Sequence, residues 1–274
     1  MAEAIFERLF SLQGKRALVT GGATGIGRMI ASALAAAGAE VFIASRKIEA
    51  CEATAAEINA EGFSGKVTPL AGDVSNEAGV AALAAAMGER TDRLDILVNN
   101  AGVSWGAPLG EFPYAAWNKV LSVNVVGLFS LTQALLPLLE AAATDEDPAR
   151  ILNLGSVMGA QPLSENVYSY SASKAAVHHL TRSLAKELAA RRITVNAFAP
   201  GPFQSKMTAF ATGSDEKAEK VGKGVPLGRI GLADDIAGAA LFLCGRSGAY
   251  ITGAILPIDG GIGVMTGPEL FGET

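Results

Sequence analysis

The chain is poor in the residues that make crosslinks and metal sites. It has two cysteines, Cys51 and Cys244, and two histidines among 274 residues. The cysteines are far apart and have no Cys or His beside them at zinc spacing, so neither a disulfide framework nor a metal site is indicated. Both are expected to be small core or surface residues. His178 and His179 are neighbours, and successive helical positions point about 100° apart, so they form neither a metal pair nor part of a triad; helix-surface or interface places are expected for them. Positive charge is also scarce. With 22 Lys+Arg against 27 Asp+Glu the formal charge is −5, which argues against a general nucleic-acid-binding surface. No uninterrupted apolar run reaches the roughly 18 residues that span a bilayer, and Met1–Gln13 lacks the basic region and cleavage site of a signal peptide. No membrane partner is therefore expected, and a cytoplasmic location is. A Gly-x-Ser-x-Gly elbow is missing, as is the Gly-Lys-Ser/Thr end of a Walker loop, which sets aside the corresponding hydrolase and P-loop chemistries.

What is present is apolar and alternating. Half of the residues are hydrophobic and 18% are charged, enough for one globular domain over residues 1–274. Short β-branched runs at Arg16–Thr20, Glu40–Ala44, Lys66–Leu70, Leu94–Asn99, Arg150–Leu154, Ile193–Ala197 and Ala254–Ile258 are separated by alanine-rich, helix-length stretches. That rhythm predicts an α/β fold, a single doubly wound, Rossmann-like, seven-stranded parallel sheet with helices on both faces. Gly38 and Gly62 punctuate the ends of helices Ile26–Ala37 and Ile48–Glu61. A long helix with Pro113 in its first turn runs to about Leu139, shortened or kinked by Pro137, and the acidic stretch Thr144–Pro148 reads as a solvated loop. The less regular segment 202–231 reads as a mobile substrate lid.

The first strand runs into Thr20-Gly21-Gly22-Ala23-Thr24-Gly25-Ile26-Gly27 and then directly into a helix. Glycines allow positive φ and close backbone approach, and the first-turn N–H groups with the helix dipole favour a pyrophosphate. Tyr170 and Lys174 share one face of a later helix. An ammonium about 5 Å from a phenol favours the phenolate by roughly 3 kcal/mol, about two pKa units, which would bring Tyr170 toward an acid or base working near neutrality. Tyr168 has Ala172 at the same spacing and no lysine partner. Ser156 lies at the carboxyl end of the fifth strand, where such sheets place ligands; Asn153 and Ser171 are competing polar residues nearby.

The glycine spacing, Asp73, Asn99-Asn100-Ala101-Gly102, Asn124, Ser156, Tyr170 with Lys174, and Pro200-Gly201, all in order over residues 14–261, resemble the short-chain dehydrogenase/reductase family. The resemblance implies an oxidoreductase that uses a nicotinamide cofactor, with Asn124, Ser156, Tyr170 and Lys174 catalytic. Tyr170 acts as the proton donor, Ser156 holds the substrate carbonyl, and Asn124 distorts its helix and holds a water that relays protons to the lysine. The alternative for Asn124 is a satisfied buried amide. Cofactor contacts are expected from Gly21, Thr24, Gly25, Ile26, Gly27, Asn100, Ala101, Gly102, Tyr170, Lys174, Pro200 and Gly201, with Ser205 or Thr208 on the carboxamide. Asp73 with Val74 would meet the adenine, although Asp73 or Ser75 could instead cap the next helix. At the ribose position stand Ser45, Arg46 and Lys47 in place of an acidic residue. A hydroxyl and cations suit a 2′-phosphate, so NADP(H) is the expected cofactor.

Val103-Ser104-Trp105-Gly106 and Gly253–Gly261 are similar to bacterial NADPH-dependent 3-oxoacyl (β-ketoacyl) reductases of the rhamnolipid-associated type. Their implied substrate is the ketone of a 3-oxoacyl thioester, and the lid residues Phe203, Met207, Phe210 and Val221 offer apolar surface for an acyl chain. Asp145-Glu146-Asp147 stands where carrier-docking relatives often carry basic residues, which favours CoA over acyl carrier protein as the thioester carrier. The other readings are an NADP-dependent dehydrogenase of a sugar, polyol or steroid and a non-catalytic NADP-binding regulator. The stretch from Ser156 to Tyr170 is one residue longer than in the commonest members, pointing to an insertion within Val157–Asn166. Apolar residues taken to lie beyond the core stripe, Leu131, Leu135, Leu138, Ala175, Ala176, Leu180 and Leu184, predict a homotetramer, with a dimer as the fallback.

Overall fold

Strands that are buried on both faces need apolar residues at odd and even positions alike, and these strands have them. A computed structural model describes residues 2–205 and 208–265. Seven strands form one parallel sheet: β1 Arg16–Thr20, β2 Glu40–Ser45, β3 Lys66–Ala71, β4 Ile96–Asn99, β5 Ala149–Leu154, β6 Ile193–Pro200 and β7 Ile255–Ile258, in the order β3-β2-β1-β4-β5-β6-β7. Register is set through central residues, with Val19 opposite both Ile43 and Val98. Because side chains alternate across a strand, Ala17 and Val19 face one core with Ile30, Leu34, Cys51 and Ile236. Leu18 faces the other, with Leu83, Leu131, Leu135 and Leu184.

The helices are α1 Ala2–Phe10, α2 Gly25–Ala36, α3 Ile48–Ala60, α4 Glu77–Gly88, α5 Tyr114–Leu121, α6 Leu128–Ala142, α7 Tyr168–Leu188, α8 Ala209–Thr212, α9 Asp215–Gly222 and α10 Ala233–Cys244. Gly38 and Gly62 end α2 and α3 with φ of +101° and +73°, as left-handed C-caps do. Between β1 and β4 the chain winds in opposite directions, so their carboxyl ends diverge and open a cleft.

Several local expectations are corrected. Pro113 caps α5 from outside the first turn, and α6 passes Pro137 to end at Ala142. Helices α5 and α6 are joined by a π turn, Ser122–Gly127, so Tyr114–Ala142 is one continuous helix. Its apolar window has a mean hydropathy of 1.6, long and apolar enough to cross a membrane by length and composition. Its buried Asn124 and Thr132, and Leu131, Leu135 and Leu139 in the core, make it a sheet-packing helix.

Leu131, Leu135 and Leu184 are therefore not spare surface. Of the expected set Ala175 is exposed, and the other apolar residues these helices leave exposed are chiefly Val126 at 57% and Phe129 at 41% exposure, with Ala172 on α7. The acidic loop is likewise not merely solvated. Asp147 pairs with Lys15 at 2.7 Å and with the buried Arg150 at 2.8 Å, and Asp145 pairs with Arg192. These carboxylates are committed to intrachain partners at the amino edge of the sheet.

Candidate active site

The cleft begins where β1 gives way to the glycine turn. Thr20 Oγ1 accepts from the amides of Asn100 and Ala101, each at 3.0 Å, while Asn100 Nδ2 donates to the carbonyls of Thr20 and Gly21 at 2.9 and 3.1 Å. These bonds stitch the ends of β1 and β4. Gly21 and Gly25 take φ of +65° and +54°, where a side chain is strained. Gly27 is required for space, because a Cβ there would lie 2.4 Å from both Asn100 Nδ2 and the Gly21 carbonyl oxygen. Thr24 caps α2 in an extended conformation without a side-chain bond, so the first-turn N–H groups have no side-chain acceptor and remain available to an anionic ligand.

Gly21, Thr24, Gly25, Ile26, Asn100, Ala101, Gly102, Ser156, Tyr170, Lys174, Pro200, Gly201 and Ser205 all line this cleft, and Thr208 joins them. Ser205 closes over the glycine turn and bonds Thr208, Oγ to Oγ1, at 2.9 Å. Past Gly21, Ala101 and Gly102 the cleft continues into a recess walled by Ser45, Arg46, Asp73 and Val74. Gly27 and Asn124 stand behind these walls as supports.

In the recess, Ser45 Oγ donates to the Lys47 carbonyl at 3.0 Å and accepts from Cys51 Sγ at 3.2 Å. Its single hydrogen is thus engaged, and the exposed Arg46 side chain is the donor available to a ligand. Burial works to raise the Asp73 carboxyl, but the Ser75 amide bond at 2.9 Å and the charge of Arg46 prevail and hold it below the usual carboxylate range. The cap of α4 is neither Asp73 nor Ser75 but Asn76, which accepts from the Gly79 amide.

At the other end, the π turn is held by Asn124. Its Oδ1 accepts from the Val103 amide at 2.8 Å, and its Nδ2 donates to the Val103 carbonyl at 2.9 Å and to Ser173 Oγ at 3.0 Å. Both amide hydrogens are engaged, so the side chain is satisfied as a buried amide that holds the π turn. Lys174 Nζ donates to the Leu154 carbonyl at 2.6 Å and lies 5.5 Å from the centre of the Tyr170 ring.

Burial dominates the electrostatics of this pair. It pushes the Tyr170 phenol above its ordinary value, opposed by a hydrogen bond with Ser156, and brings the Lys174 ammonium down to about 8. The expectation that Lys174 lowers Tyr170 is not met in this chain's own side chains: burial sets both shifts, and what opposes it at Tyr170 is Ser156, not Lys174. Ser156 Oγ accepts from the Met158 amide at 3.2 Å. Asn153 is fully buried between Asn99 and Thr181, and Ser171 is only part-buried on another face of α7; neither lines the cleft. Tyr168 packs edge-on against Phe112, with centroids 5.4 Å apart, bracing the loop ahead of α5.

His178, expected at a helix surface or an interface, is 6% exposed within the chain, and its Nε2 accepts from the Ser156 amide at 3.4 Å. The spacing of Tyr170, Lys174 and His178, each four residues on, was the available signal. Phe203 is also more deeply placed than expected, 2% exposed and bridged to Gly231 at the base of segment 202–231. Met207 and the side chain of Phe210 lie outside the described residues.

A family model described as enoyl-(acyl carrier protein) reductase matches residues 21–263. The chain is 49% identical over 252 residues to the rhamnolipids biosynthesis 3-oxoacyl-[acyl-carrier-protein] reductase of Pseudomonas aeruginosa, covering 92% of this chain and 97% of that one. It is 35% identical to gluconate 5-dehydrogenase of Gluconobacter oxydans, covering 93% and 97%. Among solved structures, the Pseudomonas aeruginosa RhlG/NADP active-site complex is similar with a TM-score of 0.89 at 48% identity, covering 93% of this chain and 99% of that one. A gluconate 5-dehydrogenase from Burkholderia cenocepacia in complex with NADP and tartrate gives 0.84 at 32% identity, covering 95% and 99%. With the glycine turn, Ser156, Tyr170 and Lys174 brought to one cleft at the carboxyl edge of a doubly wound sheet, the chain belongs to the short-chain dehydrogenase/reductase family of oxidoreductases.

Proposed function

We propose that this protein reduces the ketone of a 3-oxoacyl thioester with NADPH. The observation that carries the reading is the single cleft joining the Gly21–Gly27 turn to Ser156, Tyr170 and Lys174. The cleft fits the cofactor: the glycines leave room where a Cβ would collide, the α2 amides favour pyrophosphate, and Arg46 offers a guanidinium where a 2′-phosphate belongs. Pro200, Gly201, Ser205 and Thr208 would flank the nicotinamide, and Lys174 and Tyr170 its ribose. When bound, NADPH supplies the hydride.

The chain's own residues supply the rest. Burial keeps Tyr170 protonated, the form a proton donor needs, and it gives that proton to the ketone oxygen. Ser156 donates a hydrogen bond to the same oxygen as charge develops on it. The Lys174 ammonium opposes the negative charge left on Tyr170. The thioester assignment rests on the 49% relative. A second reading, an NADP-dependent sugar-acid dehydrogenase, rests on the relatives at 35% and 40% identity. NADPH oxidation assayed with acetoacetyl-CoA, acetoacetyl-acyl carrier protein, a keto-gluconate and a ring ketone decides between them. Thioester turnover is expected, and turnover of the keto-gluconate alone would replace the first reading by the second.

The lysine sets a pH limit. Its amine holds a proton below about 8 and loses it above, so stabilisation of the developing tyrosinate fades as pH rises through that value. Reductive kcat/KM, which reports the free enzyme, is expected to be level on the acid side and to fall above about pH 8, approaching tenfold per unit. A kcat/KM profile that stays flat to about pH 10 would contradict this role for Lys174.

The exposed Val126 and Phe129, with Ala172 and Ala175, support assembly through the faces of α6 and α7. Light scattering over a dilution series is expected to give the mass of four chains, and a Phe129→Glu variant a smaller one. A monomeric wild type would refute the tetramer.

A further inference from the structure

The catalytic helix carries a third polar residue in line with Tyr170 and Lys174. On α7, positions 170, 174 and 178 fall on one face, and all three meet the carboxyl end of β5. Two of them hold its main chain. Lys174 Nζ donates to the Leu154 carbonyl at 2.6 Å, and His178 Nε2 accepts from the Ser156 amide at 3.4 Å. Between these contacts, the Gly155 amide donates to the Phe198 carbonyl at 2.9 Å. The last turn of chain before Ser156 is thus fixed by one donor and one acceptor from the same helix.

The imidazole is seated closely. A Cβ on Gly155 would come within 2.3 Å of His178 Nε2, and one on Gly159 within 2.8 Å of its Cε1. The ring lies between two glycines on either side of Ser156, so the strand exit and the short helical turn after it are shaped around it. Accepting from a main-chain N–H requires Nε2 to be unprotonated, which places the ring hydrogen on Nδ1. Burial, with the charges of Arg182 and Lys174 nearby, brings the imidazole down to about 4, so it stays the neutral acceptor this contact needs.

We infer that His178 is a positioning residue for Ser156, holding the serine's main chain so that its hydroxyl meets the ketone oxygen. This rests on the reading of Ser156 as the donor to that oxygen. The residue acts through Ser156 and touches neither substrate nor cofactor, so its loss shifts kcat and leaves cofactor binding alone. Misplacement of a catalytic group by a fraction of an ångström to an ångström costs up to about 10²-fold in rate.

The test compares acceptors of different reach. His178→Phe keeps a ring and removes the acceptor; His178→Gln places an amide oxygen near the former Nε2; His178→Asn offers the same amide too short to reach. With acetoacetyl-CoA, H178F and H178N are expected to lose about tenfold or more in kcat. KM for NADPH and the NADPH dissociation constant, from nucleotide fluorescence, should stay within about twofold, and H178Q should recover most of kcat. Should H178F fail to fold, the comparison of H178N with H178Q decides, since both carry the same group. Unchanged kcat in H178N, or equal losses in H178N and H178Q, would overturn the inference. Ser156→Ala is measured alongside: if S156A is fully active, the reading of Ser156 itself has failed, whereas an inactive S156A with an active H178N removes only the role of His178.

Discussion

Replacing Tyr170 by Phe is expected to lower kcat by about 10² to 10⁴ while NADPH still binds, because only the phenolic oxygen is removed. The half-buried ring lies beside Lys174 Nζ and a phenylalanine ring fills the same place, so the fold and the Gly21–Gly27 end of the cleft are expected to be unaffected. What goes is the proton that neutralises the developing alkoxide, and the hydrogen-bonding neighbour of Ser156. Tyr168 offers the internal control. It lies two positions away, and its ring braces Phe112 edge-on. Tyr168→Phe keeps that packing and is expected to stay within about twofold of wild type in kcat. Steady-state kinetics with acetoacetyl-CoA, paired with fluorescence titration of NADPH, separate chemistry from binding. Equal losses in both variants, or a loss in Tyr168→Phe alone, would overturn the assignment of Tyr170 as the proton donor.

Changing Arg46 to Asp should invert the nucleotide preference. In the recess beside Gly72 and Asp73, Arg46 is the exposed cation, and the Ser45 hydroxyl is already turned to the Lys47 carbonyl. Recognition of a 2′-phosphate therefore rests mainly on the guanidinium, with Lys47 in support. A charge-assisted bond of this kind contributes about 1.5 to 3 kcal/mol. Substituting a carboxylate removes it, repels the phosphate dianion, and gives an acceptor suited to the free ribose hydroxyls of NADH. The NADPH/NADH ratio of kcat/KM is expected to fall by at least about 10². The new carboxylate would also face Asp73, so some loss with both cofactors accompanies the switch. A ratio unchanged by the substitution would show that the 2′-phosphate is not read at this position.

Much of this molecule is local in origin. The strands are runs of apolar residues short enough to be read from the chain, and their alternation with alanine-rich helices ending at Gly38 and Gly62 makes a doubly wound sheet the packing that buries both faces. The glycine turn follows from conformational freedom at Gly21 and Gly25, and the alignment of Tyr170 with Lys174 from the helical repeat; neither needs a distant residue. The remainder depends on contacts between parts of the chain far apart in sequence. Which leucines of α6 and α7 face inward was set by the sheet beneath them, so Leu131, Leu135 and Leu184 are core while Val126 and Phe129 are surface. Asp147 became the partner of a buried arginine because Lys15 and Arg150 converge at the amino edge of the sheet. The direction of the shifts at Tyr170 and Lys174 was set by desolvation, a property of everything packed around them and not of their spacing. His178 shows the division most plainly: its place in the row with Tyr170 and Lys174 was present in the sequence, but its contact with Ser156 exists only because β5 ends against α7 with Gly155 and Gly159 leaving room for the ring.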